Sequence, residues 1–133
     1  MTPVFIDTVG LLGVWNDADQ WHRVASHAFA ILAATRTPLV TTREVMLECG
    51  NAAARTSIRS DVTDLRKRLE SQGRLLVPTD ADLANAWAMY DRGRSGDPGI
   101  VDCISFAVMR RFGLTEAFTN DQHFAAAGFT TLF

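Results

Sequence analysis

The chain has 133 residues, 47% of them hydrophobic, with 15 acidic residues against 13 basic ones and a net charge of −2. That is enough to bury one ordinary core and too little for two comfortable domains, so residues 1–133 read as a single domain. Two widely separated cysteines exclude a disulfide framework or a zinc ribbon, and Cys49 and Cys103 read as small buried filler. No apolar run reaches membrane-spanning length and the MTPVFIDT start has no basic segment, so the expected location is the cytoplasm.

In chain order, Val4-Phe5-Ile6 is a short, wholly apolar run and reads as a buried strand with Asp7 at its carboxyl end. A helical stretch over Val9 to Val14 follows. Asp17 and Asp19 offer caps for a helix from about Gln20 to Thr35 with Trp21, Val24, Ala28 and Ile31 as its buried stripe. His22 and His27 share no ideal helical face and read as surface or packing histidines. Pro38 to Thr41 is the second strand, and Arg43 to about Arg55 the next helix.

That helix carries Glu44 and Glu48 one turn apart, with Asn51 three residues further on. Val45, Met46, Leu47 and Cys49 surround Glu48, which predicts a carboxylate at the core boundary in need of a partner or a cation. Ser57 or Ser60 can cap a long polar helix to Gln72, striped by Ile58, Val62, Leu65 and Leu69. Between Arg55 and Arg74 six basic residues face three acidic ones, and twelve of the chain's thirteen basic residues are arginine, which suits forked phosphate contacts. A merely solvated helix face fits the same run equally well.

Arg74 to Pro78 is the third strand. Thr79 to Asp82 then opens a helix to Tyr90, packed through Leu83, Ala86, Trp87 and Tyr90. Asp91 to Gly99 is a glycine-rich loop able to admit a substrate. Asp102 heads a helix with Ile104, Ala107, Val108 and Phe112 on one face, and capping alone would explain an acid there. Ala117-Phe118-Thr119 is the fourth strand, ending in Asn120-Asp121. A short helix from Gln122 to Ala127 and a last strand over Phe129 to Leu132 complete the pattern. Strand and helix alternate throughout, which predicts an α/β fold with a mainly parallel sheet of about five strands covered by helices.

In such a sheet ligands gather at the carboxyl ends of the strands, where Asp7, Asp102 and Asp121 should lie, with Glu48 as a fourth acid. Four converging carboxylates repel unless a hard cation joins them, and oxygen ligands suit magnesium or manganese. Such a site serves phosphodiester hydrolysis without a covalent nucleophile. Setting those four acids aside leaves the rest of the chain at +2.

FIDT, TTREVMLE, VDCISFAVMRRFGLTEAFTNDQHF and the closing AAGFTTLF together resemble a PIN-domain ribonuclease of the VapC toxin type, over nearly the whole chain. The resemblance implies a PIN-like α/β/α sandwich with Asp7, Glu48, Asp102 and Asp121 as catalytic and metal-binding acids for Mg2+ or Mn2+. It implies Thr8 and, more weakly, Asp97 as supporting residues, while Asn51 joins them by its spacing from Glu48 and the arginine-rich charge offers Arg43, Arg55, Arg66 and Arg68 as RNA contacts. It also implies cleavage of transfer or ribosomal RNA, homodimerisation, and inhibition by a VapB-type antitoxin reaching an arginine to the carboxylates. Glu44 competes with Glu48 as the helix acid, and the role of His123 in the Asp-x-His-Phe pattern stays open.

Two other readings keep the fold. One is an RNA- or protein-binding module without catalysis, the other a housekeeping RNA-processing nuclease. A dehalogenase-like phosphatase would need a second Asp where Val9 stands, and a toprim-like nuclease an Asp-x-Asp strand motif that is missing.

Overall fold

The computed structural model describes residues 1–133. The strands are β1 (Val4–Ile6), β2 (Leu39–Thr42), β3 (Leu75–Leu76), β4 (Glu116–Phe118) and β5 (Thr130–Thr131). The helices are α1 (Thr8–Trp15), α2 (His22–Ala34), α3 (Arg43–Ala53), α4 (Arg59–Ser71), α5 (Asp80–Arg92), α6 (Ile100–Arg111) and α7 (Gln122–Ala126). The five strands form one sheet in the order β3-β2-β1-β4-β5, with every neighbouring pair parallel. This is the expected α/β/α arrangement.

The strand order reverses between β1 and β4, and a parallel sheet opens a crevice at such a point, beyond the strands' carboxyl ends. Register sets what meets there. Phe5 pairs with Ala117 and Ile6 with Phe118, so Asp7 emerges beside Thr119. Two contacts hold that edge. The Thr41 hydroxyl donates to the Ile6 carbonyl at 2.6 Å, tying β2 to the end of β1. Gly10 lets α1 press on β4, because a methyl at position 10 would stand 2.2 Å from the Phe118 carbonyl oxygen.

Several expected faces are rotated. In α2 the buried residues are Ala25 and Leu32, while Trp21, Val24 and Ile31 stay exposed. The cause is α1, where Gly13 leaves Ala25 a tight seat (a methyl there would meet the Ala25 Cβ at 3.1 Å), and Phe29, which meets Phe118 edge-on at 5.5 Å. Asp19 accepts from the Trp21 amide rather than capping the helix by itself, and α4 begins at Arg59 without a side-chain cap from Ser57 or Ser60. In α5 the Thr79/Asp82 capping box forms, but Trp87 and Tyr90 are exposed and Ala86 takes the core position. Asp82, itself buried, accepts a forked pair of hydrogen bonds from Arg111 Nε and so clasps α5 to the end of α6. Phe112 also lies outside the core, beyond the end of α6, and its ring is covered by the Arg111 guanidinium at 4.3 Å. β3 is only two residues long, with Val77 exposed beyond it. Both cysteines are buried and free.

Candidate active site

A cleft of about 250 Å³ opens at the reversal point, lined by Asp7, Glu48, Asp102 and Asp121 together with Thr8, Val9, Gly99, Ile100 and Val101. Four segments remote in sequence thus deliver four carboxylates to one place, and no lysine or arginine lines it. Glu48 is the helix acid that lines the cleft. Glu44 does not line it and pairs instead with Arg43 at 2.8 Å.

Asp7 is 1% exposed. It occupies the N-cap position of α1 without capping it, and its side chain turns into the cleft. The Thr119 hydroxyl donates to Oδ2 at 3.0 Å, whereas Oδ1 is buried with no partner. Burial first, and then the nearby Asp102, push its pKa from 3.8 up to about 7. Asp102 is the third residue of α6, whose N-cap is Gly99, and no side-chain bond caps that helix. Burial and then Asp121 and Glu48 raise its pKa to about 6.

Asp121 combines two tasks. It caps α7 by accepting from the His123 amide at 2.9 Å, and it also faces the cleft. His123 Nδ1 lies 3.0 Å from Asp121 Oδ1 while Nε2 lies 2.8 Å from the Gly96 carbonyl. Acceptors at both nitrogens favour the imidazolium, and the pKa of His123 is raised, most by the Gly96 carbonyl. Donor atoms of Asp102, Asp121 and His123 all fall within 4.8 Å of one another.

Glu48 departs from the expected core-boundary carboxylate. It is exposed, as is Leu47, and its Oε1 accepts from the Thr8 hydroxyl. The helix turns its Val45, Met46 and Cys49 side inward, which leaves Glu48 on the cleft rim. The other expected supporting residues lie apart. Asn51 is exposed and does not line the cleft. Asp97 closes its own loop by accepting from the Arg94 amide at 2.8 Å. Of the arginines, Arg43 is paired with Glu44 and Arg66 with Glu70, while Arg55 and Arg68 are exposed, and none of the four lines the cleft.

Thr119 is the residue that sequence reasoning passed over. Its hydroxyl donates to Asp7 and accepts from the Asp121 amide at 3.1 Å, joining two of the acids through one atom. A threonine closing a strand reads as ordinary β-propensity, and only its place two residues before Asp121 hints at more. Thr119→Val is expected to lower stability by about 1–3 kcal/mol, because it strips a partner from buried groups. Manganese affinity should fall about 10–100-fold with it. Chemical denaturation and calorimetry check both.

The PIN domain family model matches residues 4–130. The 23S rRNA-specific endonuclease VapC20 of Mycobacterium tuberculosis, in strains CDC 1551 and H37Rv, is 32% identical over 136 aligned positions, covering 95% of both chains. The crystal structure of M. tuberculosis VapC20, described as a sarcin-ricin loop cleaving toxin, superposes with a TM-score of 0.80 at 27% identity, covering 96% of each chain. FitAcB from Neisseria gonorrhoeae shares the fold at a TM-score of 0.62 and 18% identity, over 98% of this chain and 96% of that one. The chain therefore belongs to the PIN-domain family, within its VapC-type ribonuclease toxins. None of its helices is long and apolar enough to cross a membrane.

Proposed function

We propose that residues 1–133 form one metal-dependent endoribonuclease domain whose catalytic and metal-binding acids are Asp7, Glu48, Asp102 and Asp121. The observation that carries this reading is the meeting of four carboxylates in a cleft without a cationic wall, one of them with a buried, unpartnered oxygen. A buried carboxylate oxygen without a partner is costly, and an all-oxygen donor set fits magnesium or manganese. Bound there, such an ion supplies Lewis acidity toward a phosphodiester and toward the attacking water.

The chain's own groups prepare that chemistry. Thr119 holds Asp7, Thr8 holds Glu48 and His123 holds Asp121, so three of the four carboxylates are oriented by a neighbour. Burial and the neighbouring acids raise the Asp7 pKa to about 7, so metal loading is coupled to release of its proton. A thiol nucleophile is poorly served, since burial pushes the Cys49 pKa up to about 12.

The substrate class is RNA, and the 23S rRNA specificity in the name of VapC20 makes ribosomal RNA the first to try, with transfer RNA next. Arg43, Arg55, Arg66 and Arg68 are assigned to the RNA backbone. The protein acts in the cytoplasm as a homodimer, silenced by a VapB-type antitoxin whose arginine enters the carboxylates.

Thermal melts with manganese and with chelator test the metal site. At a hundredfold excess over Kd, manganese should add about 2.7 kcal/mol to wild-type stability. The gain should shrink sharply in D102N. An equal gain in both proteins, or none in either, would contradict the assignment.

A further inference from the structure

Beside the acidic cleft lies a second depression of about 430 Å³, walled by Tyr90 and the loop 93–99. The two share Gly99 as a common wall. Tyr90 is 46% exposed and meets Trp87, 49% exposed, edge-on with ring centroids 5.5 Å apart. Neither ring is needed by the core, since α5 packs on α6 through Ala86, with Leu83 and Met89 partly buried against the same cluster.

Apart from the Tyr90 ring and Pro98, the depression is polar or bare backbone. Arg94, Ser95, Asp97 and Pro98 line it, Gly96 adopts φ +95°, and nothing stands within 4 Å of where side chains at Gly96 or Gly99 would begin. A flat aromatic face edged by a guanidinium, a hydroxyl and a carboxylate fits an unpaired nucleobase, whose face stacks while its edge finds donors and acceptors. An apolar anchor from a protein partner would find only Tyr90 and Pro98 among polar groups and glycines. The loop is also tied to the cleft, because His123 bridges the Gly96 carbonyl and the Asp121 carboxylate. A base seated in the depression is thereby held in register with that acid.

We propose that Tyr90, buttressed by Trp87, is the stacking surface for an unpaired RNA base next to the bond that is cut, with the loop 93–99 reading the edge of that base. This rests on the nuclease reading above and adds to it the surface that holds the RNA strand beside the bond that is cut.

The test uses the full chain carrying D102N, with magnesium present, and a fluorescein-labelled single-stranded RNA octamer of random sequence as the probe. Adding Y90A should weaken octamer binding about tenfold, the scale of one lost base–aromatic stack. Adding Y90F, which keeps the ring, should leave the affinity of the D102N protein, and W87A should fall between the two. Sedimentation should give one association state for all of them. Unchanged binding by Y90A would overturn the proposal. So would a change in association state on adding Y90A, which would assign the rings to a contact between copies of the chain. Cleavage of total cellular RNA by the wild type is read in parallel. Its absence would count against the nuclease reading, while octamer binding still decides the stacking surface.

Discussion

Asp7→Asn is expected to abolish RNA cleavage and yet raise the melting temperature of the metal-free protein by about 5 °C or more at pH 8. The two effects share one cause. In the wild type an aspartate with 1% exposure faces other carboxylates, and its pKa stands at about 7 against 3.8. That displacement corresponds to about 4 kcal/mol of destabilisation once the group is fully ionised. The amide keeps an oxygen for the Thr119 hydroxyl and carries no charge.

The sign of the pH dependence follows. Between about pH 4 and pH 7 the folded wild type holds a proton on Asp7 that the unfolded chain has lost. Metal-free stability therefore falls as pH rises through that window, with Asp102 adding to the fall up to about pH 6. In D7N most of this slope should vanish. Melts from pH 4 to pH 8 in chelator check it, and a D7N protein less stable than wild type at pH 8 would mean that Asp7 is structural.

Gly10→Ala is expected to act in the opposite way, with a loss of about 3 kcal/mol or more. The added methyl would lie 2.2 Å from the Phe118 carbonyl oxygen and 2.5 Å from the Phe118 ring, both inside contact distance. Backbone cannot rotate away as a flexible side chain can, so α1 must lift from β4. Because α1 begins at Thr8 and β4 leads to Thr119 and Asp121, the same shift would separate the acids. Denaturation midpoints check the stability, and Gly50→Ala, where a methyl meets nothing within 4 Å, supplies the comparison.

The contrast between these two positions shows what a sequence discloses. The buried strand before Asp7 was legible because three consecutive apolar residues followed by an acid and a turn leave little choice. Strand–helix alternation then placed Asp102 and Asp121 on the same edge as Asp7. The apolar neighbours of Glu48 and the family resemblance point to it as the helix acid, and the cleft separates it from Glu44 one turn away, which pairs with Arg43 instead. The outward rings of α5 and the rotated face of α2 were misread for a related reason. Apolar spacing marks a helical face, but the depth to which that face sinks depends on its neighbour. Ala25 displaces Val24 because Gly13 sits opposite, and Ala86 displaces Trp87 because α6 packs close. Thr119 escaped notice because its importance lies in two hydrogen bonds that no local pattern encodes.

The most direct measurement is cleavage of total cellular RNA by the wild type and by D102N, each with manganese, with magnesium and with chelator. Discrete fragments that require a metal ion and disappear in D102N, a loss of at least about a thousandfold, are the predicted result. Fragments that persist in chelator, or that D102N produces at the wild-type rate, would contradict a nuclease built on these four acids.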